Sequence, residues 1–134
     1  MTKTSEMIQM ENSIYETNYN KLTKMLGNLD LNFEALELKS GGFMDLGVDK
    51  LGEDKIALSH YYKQNGDMVA DPDMIIKIHK DLKMVEAVTY QDSFGFRAVY
   101  PEEGKVDLRA KKDLNSFLGT WLRNLINQGF KAGI

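Results

Sequence analysis

The feature that most constrains this chain is a change of hydrophobic period, from about 3.6 residues near the ends to 2 in the middle. Leu114, Phe117, Leu118, Trp121, Leu122, Leu125 and Ile126 recur at i, i+3, i+4, i+7 and i+8, the stripe of an amphipathic helix. A helix over about 109–128 follows, with Gly129 as its stop and Arg123 suited to its negative end. Between Phe33 and Tyr100 the apolar residues alternate instead, as they do in strands with one face buried. At about 1.5–3 kcal/mol for each large apolar side chain buried, the helical stripe needs a broad apolar surface, and the strands supply it.

The alternation resolves into a meander. Leu36 and Leu38 lead to a turn at Gly41-Gly42, and Met44, Leu46 and Val48 share one face of the return strand. Gly52-Glu53-Asp54 reverses the chain; Ile56, Leu58, His60 and Tyr62 then form one face of a third strand, and Met74, Ile76 and Ile78 one face of a fourth. A turn at Lys80–Lys83 precedes a fifth strand, read with Val85 and Ala87 on one face and Met84, Val88 and Tyr90 on the other. After a hairpin at Gln91-Asp92-Ser93, a last strand is expected to carry Phe94, Phe96, Ala98 and Tyr100 on one face, with Pro101-Glu102-Glu103-Gly104 ending the sheet. Ser13-Ile14-Tyr15-Glu16 has capping-box spacing, which predicts a first helix over roughly 13–26 stopped by Gly27. The expected fold is α+β: an N-terminal helix, about six antiparallel strands, and a long C-terminal helix across one face of the sheet.

The 134 residues are the length of one domain, able to bury roughly two-thirds of the unfolded surface. Residues 1–134 are therefore read as a single domain, with 1–11 as a disordered N-terminal tail. The chain contains no cysteine, which excludes disulfides, thiolate metal sites and a cysteine nucleophile. A net charge of −3 and a pI near 5.4 give no basic footprint for nucleic acid. Residues 1–11 lack the apolar run of a signal peptide, and no run approaches the ~18 apolar residues that span a bilayer. Cytoplasmic localisation, no membrane association and no nucleic-acid partner are the expectations.

Unusual polar residues concentrate at His60-Tyr61-Tyr62-Lys63-Gln64-Asn65-Gly66-Asp67 and Asp71-Pro72-Asp73. Each has a structural reading. His60 shares strand parity with Ile56 and Leu58, so its imidazole faces inward, satisfied by a carboxylate or a backbone carbonyl. Asn65-Gly66 suits a tight hairpin, and Asp before Pro forms turns. The functional reading groups His60, Tyr62, Gln64, Asn65, Asp67, Asp71 and Asp73 as one recognition surface around a 64–73 loop. The residue types suit a metal, but the spacing is not that of an EF-hand loop or a His-Glu-x-x-His helix, so no metal and no cofactor are expected. A metal nuclease would need an acidic-x-Lys pair on a later strand, and Glu86 is followed by Ala87 and Val88. Nucleophile elbows, phosphate-cradling loops and dinucleotide fingerprints are absent as well, so the balance is against an enzyme. The strand aromatics are read as core, and Glu86 is expected to pair with Arg97 on a neighbouring strand.

Tyr15-Glu16-Thr17-Asn18-Tyr19-Asn20-Lys21-Leu22, Pro72-Asp73-Met74, Met84-Val85-Glu86-Ala87, Phe96-Arg97-Ala98-Val99-Tyr100 and Leu114–Arg123 resemble, in order and spacing, the bacterial YqiB-like family. The resemblance implies a small single-domain bacterial cytoplasmic protein of the same helix-sheet-helix plan, with no catalytic or cofactor residues to carry over. That family departs from this chain at the 64–73 loop. The stretch from Gly41-Gly42-Phe43 through His60-Tyr61-Tyr62 and Gln64-Asn65-Gly66-Asp67 to Asp71-Pro72-Asp73 is similar to small proteins carried by conjugative elements and phages. Three functions are expected in order: from the residues, a non-catalytic protein-binding or adaptor domain acting through the 64–73 loop, then a small-ligand binder with a pocket between sheet and C-terminal helix reaching His60 or Tyr62; and, from the mobile-element likeness, an inhibitor of a host defence protein that mimics nucleic acid with acidic patches.

Overall fold

A computed structural model describes residues 2–30 and 32–132. Helix α1 (Thr2–Leu26) leads to strands β1 (Ala35–Leu38), β2 (Asp45–Lys50), β3 (Lys55–Gln64) and β4 (Asp67–His79). After a single 3₁₀ turn at Lys80–Leu82 come β5 (Met84–Asp92), β6 (Gly95–Ala98) and helix α2 (Leu108–Asn127). The six strands form one antiparallel sheet in chain order, the expected meander. Both helices pack on β5 and on each other, so one face of the sheet is covered and the other is open.

The alternation acts as predicted in the body of the sheet. Leu46 and Val48 on β2, Ile56 and Leu58 on β3, and Met74, Ile76 and Ile78 on β4 are buried in one cluster with Leu114, Leu118, Trp121, Leu122 and Leu125 of α2. Asp107 caps α2, its side chain accepting from the Ala110 N–H. At the other end Gly129 takes φ +93; the Gly129 N–H donates to Ile126 O and the Phe130 N–H to Leu125 O. That pair of bonds is a Schellman stop, and it turns the Phe130 side chain back into the core.

α1 runs through Ser13 from Thr2, so the capping-box residues lie inside the helix rather than at its start, and residues 2–11, read as a tail, continue the same helix. Its expected stop at Gly27 is observed, with φ +82 and the Gly27 N–H donating to Thr23 O. Where the two helices meet, Asn18 Nδ2 donates to Asn115 O at 3.0 Å. A β-carbon on Gly119 would stand 3.0 Å from Asn18 Oδ1, so a larger residue there would press on the Asn18 side chain. Asn115 also reaches the sheet: its Oδ1 accepts from the Ala87 N–H at 2.7 Å, and its Nδ2 faces Ala87 O at 3.4 Å. β6 ends at Ala98, opposite Thr89, so no strand lies beside Ala87 on that side and the helix side chain satisfies the exposed edge.

Three expectations about the last strands are corrected. Ile75 pairs with Thr89 but Ile76 with Ala87, so Val88 is an extra residue. This bulge reverses the parity and puts Tyr90 on the same face as Val85 and Ala87. The buried residue here is Val99, just past β6; Phe94 and Phe96 are 96% and 61% exposed, and Tyr100 is exposed too. Arg97 pairs with Asp113 of α2 at 3.2 Å, not with Glu86. The buried Glu86 carboxylate instead takes the Tyr100 hydroxyl, His79 Nε2 at 3.3 Å and Lys111 Nζ at 3.8 Å, groups from three different segments.

Candidate functional site

The hairpin formed by β3 and β4 is longer than its neighbours. β2 pairs with β3 only as far as Asp45 opposite Tyr61, and β5 pairs with β4 only from Gln91 opposite Asp73. Beyond those points Tyr61–Gln64 and Asp67–Ala70 pair with one another. At about 3.4 Å per residue, a two-stranded arm extends roughly 10 Å past the Tyr61–Ala70 pair, with no strand neighbour on either side among the described residues. The expected 64–73 loop is therefore a correction: only Asn65 and Gly66 form the turn, and 67–73 belong to β4.

The sequence dictates this turn. Asn65 has φ +53 and Gly66 φ +88, the successive positive angles of a type I′ turn whose twist matches paired strands. Gln64 and Asp67 close it as a ladder pair. At the arm's root, Ser59 pairs with Asp73 and Tyr61 with Ala70, so the Asp71-Pro72 step, a cis peptide, adds one residue to β4. Proline, lacking an N–H, is tolerated at such an irregularity.

The residues expected to form one surface are divided among three places. Gln64, Asn65 and Asp67 are exposed at the tip. His60 and Tyr62 are half-buried and lie on the helix-covered side. The His60 ring stands 5.7 Å from Trp121 and 5.9 Å from Phe130, and its Nδ1 is 3.3 Å from Asp45 O. The imidazole thus packs against two aromatic rings and a backbone carbonyl, which ties the root of the arm to α2 and the C-terminal segment. Asp73 is on the open face, where its Oδ1 accepts from the Ser59 hydroxyl at 2.8 Å. Asp71, half-buried, lies between these groups at the root. Among the described residues no cluster of three or more His, Asp or Glu side chains has metal-binding geometry.

Two features escaped sequence reasoning. Tyr61 lies across Gly47: a β-carbon there would come within 2.0 Å of Tyr61 Cε2. Its hydroxyl donates to Asp49 at 3.2 Å. Burial first, then the Asp49 charge, raises its pKa. Tyr61 thus pins the root of the arm to β2 and walls a shallow groove of about 410 Å³ with Glu37, Asp45 and Asp49. The second is the bonding that holds the expected hairpin between β5 and β6, where the Asp92 carboxylate accepts from the N–H groups of Phe94 and Gly95 and from the Tyr90 hydroxyl. Those bonds hold Asp92 below the usual carboxylate range, while burial followed by Asp92 pushes Tyr90 up to about 12. The turn holds Phe94 out into solvent beside the arm. The signal for it was Asp92-Ser93-Phe94-Gly95, a turn sequence enclosing a large aromatic residue.

An antiparallel sheet in chain order, covered on one face by the terminal helices and extended by a self-paired arm, defines an α+β domain. Residues 17–131 match the family described as Domain of unknown function (DUF6908), and the chain belongs to that family. The match is to that family and not to the YqiB-like one that the sequence resembles. No curated protein and no solved structure matches the chain. No helix among the described residues is long and apolar enough to cross a membrane.

Proposed function

We propose that this chain is a non-catalytic protein-binding domain of the bacterial cytoplasm whose contact element is the β3–β4 arm around residues 64–73. The observation that carries this reading is the length mismatch: residues 62–64 and 67–70 extend past the strands that flank them. An isolated hairpin in water is marginally stable, and this part of β3 and β4 receives no flanking strand in return for being ordered. A partner strand or surface against the arm supplies what the fold does not. Two exposed apolar patches flank its root, Phe43 with Met44 on the β2 side and Phe94 with Phe96 on the β5 side, and such residues are common anchors in protein contacts. The acidic-mimic reading gains less support, because Lys39 bridges Glu37 at 3.3 Å and Asp45 at 3.6 Å and interrupts the acidic row.

A photo-crosslinking amino acid at Gln64, introduced into the full chain in its native host, tests the proposal. A discrete protein adduct from Gln64, and none from the same residue at exposed Glu53 on the opposite end of the sheet, is the expected result. Adducts from neither position, or equal adducts from both, contradict it.

A further inference from the structure

We infer that the β4 side of the arm accepts an extended, basic segment of a partner protein as an added strand, seated beside Phe94 and Phe96; this rests on the protein-binding reading above. A two-residue turn makes Gln64 and Asp67 a hydrogen-bonded pair. Antiparallel ladders alternate, so the N–H and C=O groups of Met68 and Ala70 point away from β3, toward the side where β5 has ended. Asp73 opposite Gln91 is the last pair there, and the β5–β6 turn follows at once. The open β4 edge therefore begins where a shelf of exposed aromatic side chains stands, Phe94 being 96% and Phe96 61% exposed.

The two sides of the arm are unequal. On the β3 side the open stretch is Tyr62–Gln64, shorter than Asp67–Pro72, and Phe43 is partly engaged with Phe130 at 6.4 Å. Charge selects the occupant. Asp67 and Asp71 bracket the β4 edge, Asp73 and Asp92 stand at its foot, and bonds from Phe94, Tyr90 and Gly95 favour the charged form of Asp92. These carboxylates disfavour an acidic strand and a second copy of the same edge, and favour a segment with Lys or Arg flanking its paired residues. Strand addition draws affinity from main-chain bonds and specificity from alternate side chains. The segment must then carry an apolar residue positioned for Phe94 and Phe96, between basic neighbours.

The probe is a displayed library of random linear peptides, selected on the full chain. Enriched peptides are expected to alternate apolar with other residues and to carry Lys or Arg. Their affinity should fall about tenfold for Ala70→Pro, which removes one outward donor without touching the β3–β4 bonds, and comparably for Phe94→Ser, a change at a fully solvated side chain. Glu53→Ser should leave it unchanged. Absence of enrichment, or enriched peptides that bind Ala70→Pro and Phe94→Ser as tightly as wild type, overturns the inference. Self-association of the chain that Phe94→Ser abolishes would do so too, giving the edge to a second copy. If Gln64 crosslinking survives in Ala70→Pro and Phe94→Ser, only the strand addition fails; if Gln64 never crosslinks, the protein-binding reading fails with it.

Discussion

The lower and upper halves of the β3–β4 hairpin use the same two strands in the same ladder, yet they keep different company. Below Tyr61, Ile56 and Leu58 pair with Ile76 and Met74, with β2 on one side, β5 on the other and α2 across the face. Above it, the strands have each other and an Asn-Gly turn. The lower half explains itself through burial. The upper half has fewer such contacts, since Gln64, Asn65 and Asp67 at its tip are exposed and no third strand flanks it among the described residues, and the proposed binding role rests on that difference.

The contrast is sharpest for truncations in the covered half. Leu58→Ala removes a fully buried side chain beneath α2 and should cost about 2–5 kcal/mol in urea unfolding. A loss under about 1 kcal/mol would mean that the lower half is as loosely held as the arm. Asn115→Ala leaves the buried Ala87 N–H without its acceptor and removes the partner of Ala87 O, for a loss of about 2–3 kcal/mol by the same measurement. Gly119→Ala should cost about 1–2 kcal/mol, because the new methyl meets Asn18 Oδ1 while Asn18 Nδ2 holds that side chain to Asn115.

A pH test addresses the turn beside the arm. Tyr90 has its pKa raised to about 12, so the unfolded chain loses that proton first. The corresponding stability is intact below the ordinary tyrosine pKa, near 10, and is lost as pH rises from there to about 12. Asp92, shifted down, acts in the opposite sense: its contribution is present at neutral pH and lost as acid protonates the folded carboxylate. Tyr90→Phe should flatten the alkaline limb of a stability-pH profile, and an unchanged limb would contradict the assignment. The smallest effect belongs to the arm. Asn65→Ala with Asp67→Ala should cost no more than about 1 kcal/mol, chiefly for the positive φ at residue 65, while abolishing the Gln64-dependent adduct. A large stability loss would make these residues structural.

The hydrophobic period carried the helices and the order of strands, because burial of Leu46, Leu58, Ile76 or Leu118 follows directly from spacing. It failed where a single residue changes parity. Nothing in Val88 announces a bulge, so unbroken alternation puts Tyr90 on the wrong face, and the same alternation counts Phe94 and Phe96 as core although the sheet edge leaves them in water. The partners of Glu86 are illegible for a different reason: His79, Tyr100 and Lys111 come from segments that only the tertiary fold brings together. The Asn65-Gly66 turn was legible, but the arm was not. Its projection depends on where β2 and β5 stop pairing, and that is a property of neighbours distant in sequence.

The most direct test shortens the arm in register. Deleting Lys63, Gln64, Asp67 and Met68 joins Asn65-Gly66 directly to Tyr62 and Val69, which is again a hydrogen-bonded pair able to close the turn. The shortened protein should melt within a few degrees of wild type and fail to retain the partner identified by crosslinking at Gln64. Retention of that partner, or collapse of the fold, would contradict an arm built for binding.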